Sequence, residues 1–551
     1  MLTKLSGGMV YDPMHGVNGK RRDIYIRDGR IVRKPSANTN IDKIIDVNNK
    51  IVMAGAIDIH THIGGGKINI ARMLIPEDHQ ADPVKRTKNT RAGSGYVAPS
   101  TFTTGYRYAE MGYTSCFEPA MLASNARQAH LEMADIPIVD TGAYVLLGND
   151  DFFLRLLSKG ADQQLINDYV AWTMHVTQAI AVKVVNPGGI NAFKFNQRKL
   201  DLDDSNKFYD ITPRKILKTL TRALHDLGVP HPLHVHGCNL GVPGNMHTTL
   251  DTMQAVEGLP MHMTHIQFHS YGTEGDRKFS SGAAVIAEVF NKNKNLSIDV
   301  GQIMFGQTIT ASGDNMMQYK GHVHAHPNKW VCIDIECDAG CGVVPYRYRD
   351  KNFVNALQWC IGLETFLLAD DPWRIFLTTD HPNGGPFTSY PHLIRLLMDK
   401  SFRHDMLLSL NKHAQKATNL ASIDREYTLY EIATMTRAAP AKSLGLSGYG
   451  QLGIGANADI TIYADIKNKE KMFERPEYVF KSGQLIVRKG KIQQTPSGIT
   501  HTVKPEFDRG IERRLKKYFD RYLTVSLGNF KISDDELRSY GKKTIKTHAC
   551  Q

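Results

Sequence analysis

The sequence predicts an α/β protein: a parallel (β/α)8, TIM-like barrel with helices outside, carrying a small β-sandwich built from both termini. Three observations predict it. Short alternating strands open the chain, and strands of the same kind return near its end. Between them, apolar strand-like runs alternate with helical stretches for about 390 residues. At 551 residues the length suits one barrel with accessory structure. No internal repeat with a period of about 20–50 residues points to a solenoid.

Residues 1–52 supply the N-terminal part of the sandwich. Within them DIYIRDGRIV alternates around Asp28-Gly29, the signal of a two-residue hairpin. Residues 53–450 supply the barrel. Its candidate strands are AIDIH, YTSCFEPA, IPIVDTGAYV, AVKVVNP, PLHVHG, MHMTHIQF, LSIDVGQI, KWVCIDIE and RIFLTTDH. Nine candidates for eight places mean that at least one is accessory or no strand at all. Residues 451–500 return to alternating strands in ADITIYAD and YVFKSGQLIVRKGKI, with Ser-Gly and Lys-Gly turns, and complete the sandwich. Residues 501–551 read as a helical extension around IERRLKKYFDRYL followed by a polar tail.

Composition narrows the class. With 42% hydrophobic and 22% charged residues the chain is an ordinary globular protein, which excludes disordered and collagen-like chains. No apolar run approaches the roughly 18 residues of a membrane span, and MLTKLSGGMVYDP lacks a signal-peptide core. A cytoplasmic protein is expected. Seven scattered cysteines give no disulfide framework, and Cys337 and Cys341 lack the paired spacing of a zinc ribbon. The net charge of +12 permits an acidic partner or a polyanionic substrate. No nucleic-acid-binding motif accompanies it, so nucleic acid is not expected as a partner.

Chemistry gathers at strand ends. In Asp58-Ile59-His60-Thr61-His62, residues two apart share a face, so His60 and His62 point the same way. Two imidazoles at the carboxyl end of a barrel strand make half a metal site. Lys183 in AVKVVNPGG is either a snorkelling lysine or an amine that has added carbon dioxide. The resulting carbamate could bridge two cations. Lys194 in AFKFN is the rival, and Lys183 is preferred because it lies within the apolar run. His236 and His265 end the next two alternating runs. His234 sits one layer deeper, where packing is its expected role, while His262 and His269 flank the strand that carries His265 and are not assigned to the site. Asp380, after RIFLTT and before a Gly-rich loop, can bind a metal and exchange a proton with water. In chain order, H-x-H, Lys, His, His and Asp compose one two-metal site.

That order resembles the amidohydrolase superfamily of metal-dependent hydrolases, as does LGIGANADI re-entering the sandwich. Longer segments narrow the resemblance: RAGSGYVAPSTFTTGYRYAEMGYT, HVHGCNLGVPGN, THIQFHSYGTEGDR, GCGVVPYRYRDKNFVNALQW and FLTTDHPNGGPFTSYPH. They are similar to the amidohydrolase-type subunit of formylmethanofuran dehydrogenases and of the bacterial formyltransferase/hydrolase complex, over roughly residues 1–465. Gly237-Cys238-Asn239 departs from that pattern, and the chain beyond about 500 lies outside it. The resemblance implies two zinc ions bridged by carboxylated Lys183 and held also by His60, His62, His236, His265 and Asp380. Asp380 would be the proton-transferring residue. It implies hydrolysis of a formamide on methanofuran or methylofuran to formate and the free amine. Partner subunits and a polyglutamate-tailed furan cofactor follow from it, with Arg72, Arg107, Arg347 and Arg349 as candidates for the tail. The alternatives are the reverse formylation within a dehydrogenase, a cyclic amidohydrolase of the hydantoinase or dihydroorotase type, and a non-catalytic scaffold.

Overall fold

A computed structural model of the chain describes residues 1–189, 200–312, 335–336, 342–541 and 544–551. Lys194, Cys337 and Cys341 lie outside them. Eight short parallel strands form the barrel: β1 (Ala56–Asp58), β2 (Tyr113–Met121), β3 (Asp140–Leu146), β4 (Ala181–Val185), β5 (Leu233–His236), β6 (Met261–Met263), β7 (Leu296–Asp299) and β8 (Ile375–Phe376). Each pairs in parallel with the next. The ring closes at the carboxyl ends of β1 and β8, where Thr61 and His381 form a parallel bridge. The His62 N–H donates to the His381 carbonyl across it at 2.9 Å. Closure therefore passes through the two segments that carry His60, His62 and Asp380.

Of the nine candidate strands, KWVCIDIE is the accessory one. Its described part, Ile335–Glu336, pairs with Gly342–Val343 in a small antiparallel sheet outside the barrel. The same sheet pairs Gly306–Ser312 with Gly342–Tyr348. It lies against the loop after β8, where the Tyr348 hydroxyl donates to the Asn383 carbonyl at 3.0 Å.

The outer helices follow from capping and periodicity. In Pro213–Asp226, the Thr212 hydroxyl accepts the Lys215 N–H and proline stands in the first turn. Ile216, Leu217, Leu220, Ala223 and Leu224 then turn one buried stripe toward the barrel.

Both ends of the chain share one nine-stranded sheet. Leu2–Asp12 pairs with Val17–Arg27, Lys43–Asp46 and Lys50–Ala54, and Lys50–Ala54 pairs with Ile460–Ala464. The three X-Gly turns read from the sequence share one conformation. Asp28-Gly29, Ser482-Gly483 and Lys489-Gly490 each have positive φ at both residues, between strand residues paired directly across them. That is the mirror-image turn whose twist matches a hairpin.

The end of the chain differs from the expectation of a helix and a polar tail. The helix is present at Ile511–Tyr522, with Ile511, Leu515 and Phe519 buried at a spacing of four. Phe530, beyond it, stacks on Trp172 of a barrel helix with ring centroids 6.0 Å apart. On either side of that helix, Ile499–Val503 and Thr544–His548 form parallel strands, and Thr500 bridges them to Thr141 of β3. Their β-branched residues favour extended backbone, a signal too short to stand out beside the amphipathic helix. Among the described residues, no helix is long and apolar enough to cross a membrane.

Candidate metal centre

His60 and His62 follow β1, Lys183 lies in β4, His236 ends β5, and His265 and Asp380 follow β6 and β8. All six side chains are buried. Five strands thus deliver them to one mouth of the barrel, the carboxyl end at which barrel sites form. His60 Nε2 lies 2.9 Å from Asp380 Oδ1, and His62 Nε2 lies 3.4 Å from the same oxygen. Lys183 Nζ is 3.4 Å from His60 Nε2. The His60 and His265 ring centroids are 5.6 Å apart, and those of His236 and His265 are 4.6 Å apart.

Local backbone aims these groups. His265 and Asp380 both have positive φ, at 35° and 50°, so the chain turns sharply as each strand ends. Asn383 holds Asp380 from behind, donating its side-chain amide to Oδ2 at 2.9 Å and its backbone N–H to the Asp380 carbonyl at 2.7 Å. Asp380 Oδ1, although buried, accepts no hydrogen bond among the described residues.

Two carboxylates that the sequence reading did not assign fix the paired histidines. Glu118 of β2 meets His62 Nδ1 at 2.9 Å and accepts the Ile63 and Gly64 N–H groups. Asp299, ending β7, meets His60 Nδ1 at 3.1 Å and His262 Nε2 at 3.0 Å, and accepts the Thr264 hydroxyl and the His265 N–H. An anion on Nδ1 keeps the proton there and leaves Nε2 with its lone pair facing the mouth. Both residues sit in apolar strand runs, as Asp380 does, so the signal that found Asp380 was present for them. His234 is buried one layer below and touches His60 Nδ1 at 2.9 Å.

Electrostatics agree with ligand duty. Burial alone would raise the Glu118 and Asp299 carboxyls. For Glu118, His62 and the two backbone donors reverse this, and for Asp299, His60 and His262 do so. Asp380 is likewise held well below the usual carboxylate range, its burial outweighed by His60 and His265. Burial lowers the Lys183 amine to about 8. The buried N/O donor set, with Asp380 Oδ1 and His265 Nδ1 lacking hydrogen-bond partners, fits a divalent metal. His60, His62 and Asp380 offer one group of ligand atoms, and His236, His265 and His269 another.

Two of the tail-binding candidates are committed elsewhere. Arg72 donates to the Pro99 and Ile63 carbonyls and to Asn69, and Arg107 pairs with Asp82 and Glu110. Arg347 and Arg349 are exposed, with no ion pair among the described residues.

A model of the amidohydrolase family matches residues 43–487. Protein FwdA of Methanocaldococcus jannaschii is 42% identical over 99% of both chains. The FhcA subunit of the formyltransferase/hydrolase complex of Methylorubrum extorquens is 41% identical over 97% of both. The crystal structure of that organism's FhcABCD complex with methylofuran contains a chain that superposes with a TM-score of 0.92, at 40% identity and full coverage of both chains. The segment beyond residue 500, outside the resemblance read from sequence, falls within these alignments.

Proposed function

The chain belongs to the amidohydrolase family, and on that premise we propose that it hydrolyses the formamide of an N-formylated furan-amine carrier of the methanofuran or methylofuran class. The products are formate and the free amine, and the chain acts as the hydrolytic subunit of a formyltransferase/hydrolase assembly. The observation that carries this reading is the convergence of His60, His62, Lys183, His236, His265 and Asp380 at one barrel mouth. It occurs in a chain 40% identical to one in a complex with methylofuran. The division proposed for the chain is a barrel over 53–450, a sheet shared by 1–52 and 451–500, and an extension over 501–551.

Two zinc ions would be held by these six residues, with Lys183 carboxylated between them. Burial favours that modification: it lowers the Lys183 amine to about 8, which raises the share of the unprotonated, nucleophilic form near neutrality. Adding carbon dioxide to the neutral amine forms a nitrogen–carbon bond, releases one proton, and leaves a carbamate that keeps one N–H and carries its negative charge over two oxygens. Bound zinc would supply Lewis acidity and lower the pKa of water. The chain supplies the proton path. Asp380, pinned through Oδ2 by Asn383, presents Oδ1 to the site. There it takes the proton of the attacking water and hands it to the amide nitrogen as the carbon–nitrogen bond breaks. Without that transfer the amine would have to leave as a strongly basic anion.

Formate release from N-formylmethanofuran and N-formylmethylofuran by the zinc-loaded chain, in its complex, tests the reading. Turnover of these, with none of hydantoin or dihydropyrimidines, is expected. The opposite preference would assign the chain to the cyclic amidohydrolases.

A further inference from the structure

Two knots of buried histidines lie along the barrel axis, and they differ in how their nitrogens are satisfied. In the lower knot every ring nitrogen has a partner. His231 meets Ser443 Oγ at 2.9 Å and His234 Nδ1 at 3.0 Å, and His234 Nε2 meets His60. His262 meets Ser297 Oγ at 2.9 Å and Asp299 at 3.0 Å. The upper knot is different. His269 is fully buried, and among the described residues neither of its ring nitrogens has a hydrogen-bond partner. An imidazole taken from water with both nitrogens unmatched has lost hydration without replacement.

Position then selects the ligand. His269 ends the short turn Ile266–His269, which begins directly after His265. His265 itself is left-handed at φ 35°, and the tight turn that follows folds the chain back so that the His269 ring comes over the His265 ring. The two rings lie 5.3 Å apart with planes 20° from parallel. His236 of β5 closes the set, its ring 4.6 Å from His265 and 5.5 Å from His269. One nitrogen of each lies within 4.8 Å of the other two.

We propose that His269 is a third imidazole ligand to the cation held by His236 and His265. That cation then depends less on Lys183 than its neighbour at His60, His62 and Asp380 does. A set with three imidazoles prefers zinc, cobalt, nickel or copper to magnesium or manganese. The inference rests on the metal-centre reading above but can fail separately.

Crystals of the zinc-loaded full chain, measured at the zinc edge, give the direct test. An anomalous peak about 2.0–2.1 Å from a His269 nitrogen is expected. Two zinc peaks both beyond about 3 Å from that ring overturn this inference alone, and a chain that binds no zinc overturns the metal-centre reading with it. In solution, zinc counted under chelator competition should show His269→Gln keeping one tight ion and binding the second at least about tenfold more weakly. A folded His269→Gln chain with two equally tight ions refutes the assignment. Lys183→Ala should retain one zinc and lose it when His269→Gln is added; loss of both ions from Lys183→Ala alone also refutes it.

Discussion

Asp380 carries two duties that substitution separates. Asp380→Asn keeps the side-chain shape and one ligand oxygen but removes the base, so formate release should fall by roughly 10²-fold or more. Zinc content, read by elemental analysis, should fall much less than in His60→Ala. Near-normal turnover would show that another group moves the proton, with His381 next in line. Asp299 acts at one remove. It is buried against His60 and His262, so Asp299→Asn should weaken zinc binding about 10–100-fold, the usual effect of losing the carboxylate behind a metal-bound histidine. Unchanged zinc affinity under chelator competition would sink that role. What the sequence made legible at this scale were residues with a pattern: H-x-H two apart on a strand, or an acidic residue before a Gly-rich loop. Glu118 and Asp299 also lie in apolar strand runs, but no H-x-H pair or Gly-rich loop adjoins them, and their contacts with His62 and His60 across the barrel are what assign them.

Among the elements, the barrel strands and the three X-Gly hairpins were readable because their signals are local: alternation, a run of apolar residues, a turn that needs positive φ. The strands at 499–503 and 544–548 were not, since their short β-branched runs carry polar residues at alternate places and stand beside a much stronger amphipathic helix. Their junction with the barrel is charged. Lys481, buried at the end of a sheet strand, donates to Asp140 of β3 at 2.6 Å and to Asp459 at 2.7 Å. His501 lies 3.5 Å from Asp140 and meets His548 at 2.8 Å. Despite burial, Lys481 and His501 hold the Asp140 carboxyl down at about 2, whereas burial lifts Asp459. The stability Asp140 contributes is complete above its ordinary pKa near 4 and is lost as pH falls through about 2. Lys481→Met strands two buried carboxylates and should destabilise by about 3–5 kcal/mol. Denaturant titration at pH 7 checks this, and a change under about 1 kcal/mol would mean that the junction is held by packing alone.

The whole molecule carries a net charge of +12, and its last 51 residues hold 12 basic against 7 acidic side chains. Charge at that scale acts on encounter and on extended polyanions, while the buried centre answers to its own ligands. The hypothesis is that the surplus receives a glutamate-rich tail of the furan carrier. Arg347 and Arg349, exposed on the small sheet packed over the loop after Asp380, stand nearest that role. Ion pairs at an exposed entrance weaken as salt shortens the Debye length to about 10 Å at 0.1 M. Raising salt should therefore increase KM for the tailed substrate and leave kcat nearly constant. A formylated aminomethylfuran without the tail should show little change in KM. Replacing both arginines with glutamine should raise KM for the tailed substrate alone and flatten its salt dependence. If both substrates respond to salt alike, the tail does not bind there, and the charge is better assigned to a neighbouring protein of the assembly.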